Sequence, residues 1–227
     1  TFSALRRSTS ARWTLILALL MLGSVLRFTG LNWDEGQWIH PDEGHMRMIT
    51  AVIRPPDSLG QYFDTGHSPL NSRNSGYTYS YGTLPLFLTR FTAQWLDDHL
   101  CGDTSGAASI QIIAQLTGVL EAPCYPGTFS GPRSAEVGRA LSALADVGSL
   151  LLLYLLGRRL YGEAVGFLAL ALGAFTAFTI QQAHFFTVDS MAAFFTLLTA
   201  YFAVRAGQAD ARGRPAWISF GLAGVAT

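Results

Sequence analysis

The chain has 227 residues, half of them hydrophobic and only 13% charged, well below the roughly 25% typical of a soluble globular domain. Its formal net charge is zero, carried by arginine with no lysine at all, which excludes lysine Schiff-base and P-loop chemistry and leaves no basic excess for a nucleic acid. A mean hydropathy of +0.29 is low for a chain embedded in lipid throughout, so apolar spans must alternate with a sizeable polar region.

In chain order, the first expected span covers residues 13–31, about 28 Å of helix, enough to cross a bilayer. Arg6, Arg7 and Arg12 precede it without an acidic residue, so the positive-inside rule places the amino end in the cytoplasm. Arg27 is then expected to snorkel to the outer interface. A cleaved signal peptide is the rival reading; the length of the apolar stretch and the lack of a small-residue cleavage site weigh against it. Residues 32–135 follow as one long outer loop, a length that usually signals function. Within it Pro41 to Arg54 reads as a short helix with proline at its first position and Asp42 and Glu43 in its first turn. Tyr81 to Leu96, carrying Pro85 and Arg90, reads as an interfacial helix. The alternative makes residues 81–96 and 107–120 two short spans, leaving everything downstream oriented the same way. Cys101 and Cys124 both fall in this loop, and a disulfide and two free thiols are both open readings.

Further spans are expected at residues 136–157, 164–183 and 189–206, with a fifth opening over 216–227. Ala164 to Val204 as one helix would measure about 61 Å, twice the hydrocarbon thickness, so the chain must turn back. The polar break Gln181 to Ser190 is where it turns, at the outer surface. Residues 127–132 and 209–215 read as plain turns or loops. No inverted repeat or broken helix is visible. The sequence opens on Thr1 and stops at Thr227 inside an apolar run, as expected of the amino-terminal part of a longer protein.

The densest polar cluster, Asn32 to His45, begins where the first span leaves the membrane. Its acids and histidines suit base catalysis or a divalent cation, whereas Asp42 and Glu43 also suit a helix macrodipole and Asp34 and Glu35 a solvated loop. Asp189 stands directly before an apolar span, five residues after His184. Asp146 falls mid-span, where a charge must be paired, and Arg139 lies seven residues earlier on the same helical face. A structural role inside the bundle is expected for Asp146. Arg139, near the outer end of its span, is at the depth of a lipid-linked phosphate.

Four segments in order carry a resemblance: His40-Pro41-Asp42-Glu43, Tyr81-Gly82-Thr83-Leu84-Pro85-Leu86, Gly138 to Leu144, and Ile180-Gln181-Gln182-Ala183-His184-Phe185-Phe186-Thr187-Val188-Asp189. From about Arg27 to Tyr201 the chain resembles the amino-terminal part of a GT-C membrane glycosyltransferase, of the kind related to protein O-mannosyltransferases and aminoarabinose transferases. The resemblance implies an all-α polytopic membrane protein, a helix bundle whose first extracytoplasmic loop carries juxtamembrane helices, in a bacterial plasma membrane. It implies a polyprenyl-phosphate sugar donor and a lipid, glycan or protein acceptor. On this reading Asp42 is the general base of an inverting transfer and Glu43 orients it or the acceptor. Arg139 and His184 neutralise the leaving phosphate, Asp189 holds His184 or a donor hydroxyl, and His40 and Tyr81 contact substrate. The resemblance assigns no definite cofactor and leaves a divalent cation open, as relatives differ in requiring one. One departure stands out: relatives often place a lysine near the second juxtamembrane helix, and this chain has none. The rival classes are a transporter or flippase of lipid-linked sugars, which Asp146 would suit, and a membrane scaffold.

Overall fold

A computed structural model describes residues 9–37, 39–101, 125–210 and 217–226. The helices, in chain order, are α1 (Thr9–Phe28), α2 (Pro41–Val52), α3 (Leu59–Phe63), a 3-10 turn (Ser72–Ser75), α4 (Leu84–Leu100), α5 (Ser134–Tyr161), α6 (Glu163–Phe175), α7 (Ala177–Ala183), α8 (Asp189–Asp210) and α9 (Trp217–Ala226). No strand occurs among the described residues, and the chain is an all-α polytopic membrane protein. Among the described residues three helices are long and apolar enough to cross a bilayer: Ser10–Phe28, Ser134–Tyr161 and Asp189–Gln208. The pair α6 and α7, bent by 59°, makes a fourth if taken as one broken span. Residues 107–120 and Cys124, on which the short-span and disulfide readings bear, lie outside the described residues. Cys101 is buried and disulfide-bonded.

The chain divides into two compact units. The first comprises residues 1–31, 142–184 and 189–227. Its core packs Ile16 of α1, Leu150 and Tyr154 of α5, and Phe167, Leu170 and Ala174 of α6. Gly23 lets α1 and α5 approach closely: a Cβ there would lie 2.7 Å from Leu150 Cδ1.

The expected unbroken span over residues 164–183 is corrected here, since helix stops at Thr176, whose ψ of 112° is extended. A stop inside an apolar segment frees carbonyls that water cannot reach, so they need a donor. Arg27 supplies it. Its Nη1 donates to Ala174 O (3.1 Å) and Gly23 O (3.1 Å), and its Nη2 to Gly173 O (3.0 Å) and Thr179 Oγ1 (3.1 Å). Nε completes the set on Asp146 (2.5 Å). All five guanidinium donors are satisfied, and Arg27 is 0% exposed. The expected snorkelling of Arg27 is therefore overturned: desolvation is met by one carboxylate and the end of a broken helix, whose negative pole favours a cation. Asp146 has the structural role expected, with Arg27 rather than Arg139 as partner.

The second unit comprises residues 32–141 and 185–188. At 1.5 Å per residue, α5 is about 42 Å long and exceeds a hydrocarbon core of about 30 Å. Its first two turns, Ser134 to Leu141, accordingly belong to the loop unit. In α2, proline at the first position and two acids in the first turn start the helix, and Arg54-Pro55-Pro56 ends it because residues before proline avoid helical backbone. Its buried face is Glu43, Met46, Ile49 and Thr50, packed with Ile53, Leu86 and Phe186. Helix α4 starts three residues later than expected and runs on to Leu100. Its buried Asp97 accepts the backbone N–H groups of Phe129 (2.8 Å) and Ser130 (2.9 Å), which seats the segment leading into α5.

Candidate functional site

The centre of the loop unit is Arg139, 1% exposed. Its Nε and Nη2 donate to the two oxygens of Glu43, each at 2.6 Å, and its Nη1 and Nη2 to those of Asp34 at 2.8 and 2.7 Å. The planar fork matches two carboxylates bidentately, an arrangement a lysine ammonium could not make. The Trp33 ring lies 5.4 Å from the same guanidinium. Glu43, 0% exposed, also accepts the backbone N–H of Phe186 at 2.8 Å. Phe186 in turn fills the space left by Gly138, where a Cβ would fall 2.2 Å from its ring. One residue each from the post-span turn, α2, α5 and the 185–188 segment is thus tied together.

Two expectations change. Asp34 is no solvated loop acid: it is 4% exposed and paired. The expected contact of Arg139 with a donor phosphate gives way to a pairing with two buried carboxylates, which already exceed its charge. Physically, a guanidinium this deep keeps the anions that folding delivers to it.

The lock leaves Asp42 outside. One residue before Glu43 on α2, it faces the other way, is exposed, and makes no hydrogen bond or ion pair among the described residues. Around it stand aromatic groups. The half-buried Tyr79 hydroxyl is pushed up to about 12, first by burial and then by the nearby Tyr81 and Asp42. Tyr79 and Tyr81 meet edge to face at 5.7 Å, and His45 stacks on Tyr79 at 6.3 Å while its Nε2 meets Thr78 O at 3.0 Å. His40 tilts against Phe185 at 4.6 Å, with its Nδ1 buried and unpartnered. The structure therefore places Asp42 and Tyr81 each near Tyr79 and fixes His40 directly before α2. Tyr79 was missed by sequence reasoning; the alternation Tyr77-Thr78-Tyr79-Ser80-Tyr81 was the available signal. Because its hydroxyl is buried without a partner, Tyr79→Phe should leave stability unchanged or raise it by about 1 kcal/mol, read from thermal unfolding in detergent.

His184 and Asp189 belong to the other unit. The His184 ring nitrogens meet Ile180 O (2.7 Å) and Thr29 O (2.9 Å), so the ring ties α7 to the end of α1. The expected pairing of His184 with Asp189 is not formed. Asp189 is exposed at the first position of α8, where a carboxylate suits the helix dipole. Among the described residues, no three His, Cys, Asp or Glu side chains come together as a metal-binding set. Asp34 and Glu43, the two acids drawn close, are already held by Arg139.

Residues 130–227 match the family described as dolichyl-phosphate-mannose-protein mannosyltransferase. That part of the chain, which includes α5 with Arg139 and the Ile180 to Asp189 segment, is similar to a membrane glycosyltransferase of this type. No curated protein and no solved structure matches the chain.

Proposed function

We propose that the chain is the amino-terminal part of a glycosyltransferase that moves a sugar from a polyprenyl-phosphate donor to an acceptor hydroxyl at the extracytoplasmic face of a bacterial membrane. The observation that carries this reading is the division of labour between adjacent acids. Glu43 is locked to Arg139 and the Phe186 backbone, and Asp42 is left exposed and without an ion pair among the described residues, near Tyr79. A general base must reach its proton, and an ion-paired carboxylate is a poor one. The family match supports the glycosyltransferase class, and the sidedness follows from the arginines flanking the spans.

In the proposed step Asp42 takes the proton of the acceptor hydroxyl as its oxygen attacks the anomeric carbon. The bond from that carbon to the phosphate oxygen breaks, the phosphate leaves with the electron pair, and the configuration inverts. Glu43, Asp34 and Arg139 act as positioning residues by fixing the start of α2. Tyr81 and His40 are assigned to the donor. A divalent cation, if one is used, would have to draw on Asp42 or on the donor's own phosphate. Asp189 is retained as a second acid of the reading, to be substituted on its own.

A transporter reading would take up the broken span α6–α7, because discontinuous helices expose carbonyls to cargo ions. Here the carbonyls of Gly173 and Ala174 already accept from Arg27, and Asp146 is paired. The deciding experiment incubates purified full-length protein with a radiolabelled polyprenyl-phosphate sugar and candidate acceptors. A labelled glycosylated product is expected; movement of intact donor across a vesicle without transfer would replace the enzyme by the transporter.

A further inference from the structure

In the span-forming unit, where α5 and α8 end, lies a cavity of about 320 Å³ lined by Leu155, Arg158, Arg159, Tyr201 and Gln208. This is at the small end of the roughly 300–1,000 Å³ of ligand sites, a size for a headgroup rather than a whole lipid. The arginines differ in state. Arg158 is ion-paired with Glu163, Nε to Oε2 at 2.9 Å, and that carboxylate also accepts the Tyr154 hydroxyl (2.5 Å) and faces Arg12 at 3.9 Å. Glu163 is thus shared by two guanidinium groups and a phenol. The Arg159 side chain makes no hydrogen bond or ion pair among the described residues, and its Nε is buried without a partner. Gln208 reaches only the Arg159 backbone, at 3.5 Å.

A buried guanidinium N–H left unmet costs more than an ordinary hydrogen bond returns, so a site of this kind favours an anion. Among the described residues no carboxylate lines the cavity. Exposed Trp13 and Tyr161 stand at the same end of the unit, Trp13 under the Arg12 guanidinium at 5.5 Å, as amphipathic rings do at headgroup level. At that depth the abundant anion is the lipid phosphodiester, and basic pockets between spans suit it. Exposed Arg205, one turn from both Tyr201 and Gln208 along α8, adds charge near the rim.

We propose that this cavity binds the headgroup of an anionic phospholipid, with the Arg159 fork on the phosphate oxygens and Tyr201 and Gln208 as further donors. The excess of guanidinium over carboxylate selects a net negative headgroup, because a zwitterionic one brings an ammonium with no acid to meet. The site is separate from Asp42 and does not depend on the transfer reading.

The test uses the full chain in detergent, offered equal amounts of phosphatidylglycerol and phosphatidylcholine and read by native mass spectrometry. Phosphatidylglycerol should be retained with a preference of about tenfold. Arg159→Gln should lower its retention about tenfold. Arg159→Lys, which keeps the charge and the fold but loses the fork, should lower it about threefold. Equal retention of the two lipids, undiminished retention in either variant, or displacement of the lipid by inorganic phosphate alone would overturn the proposal.

Discussion

Asp42→Asn in the full-length protein should reduce sugar transfer by about 10²- to 10⁴-fold, the span of a lost general base. Thermal unfolding and donor binding should stay near wild type, because the exposed side chain has no partner to lose. The neighbouring substitution gives the contrast. Glu43→Gln removes a buried charge from the Arg139 pairing and turns one of its two acceptor oxygens into an amide donor facing either Arg139 or Phe186 N–H, so it should lower stability together with activity. Transfer assays and melting curves on the two variants separate chemistry from architecture. Full activity in Asp42→Asn would exclude Asp42 as the base, and the reading of the exposed acid would go with it.

Arg139→Ala should destabilise the protein by about 3–5 kcal/mol, the range for breaking a buried ion pair from one side. It strands the carboxylates of Asp34 and Glu43, which are 4% and 0% exposed. Arg139→Lys should recover only part of the loss, since a single ammonium cannot fork onto two carboxylates. The triple variant Asp34→Asn, Glu43→Gln, Arg139→Met should recover more, because it leaves no uncompensated charge. Unfolding midpoints in detergent provide the measurement. An unchanged midpoint in Arg139→Ala, with weakened donor binding, would return Arg139 to the role of a phosphate ligand.

These variants mark where sequence reasoning reached and where it stopped. Spans are legible because lipid requires about twenty apolar residues. Helix α2 is legible because Pro41, Asp42 and Glu43 are local start signals and Pro55 a local stop. What pairs with what is different in kind. Arg139 and Asp146 lie seven residues apart on one helix, and spacing alone puts them on the same face. Instead Arg139 takes Asp34 and Glu43, about a hundred residues upstream, and Asp146 takes Arg27. Nothing local forecasts the break at Thr176, which carries neither proline nor glycine; it is tolerable because a guanidinium from α1 arrives to cap it.

From residue order alone came the membrane class, the approximate spans, the long loop between the first two of them and the acid pair at the head of α2, all set by length, hydropathy and backbone preference over a few residues. Only the tertiary structure decided which acid of that pair is spent on the fold and which is open to a substrate. The reason is that desolvation is a property of place: a carboxylate acquires its role from the groups that surround it after distant segments have met, and chain order does not record those meetings.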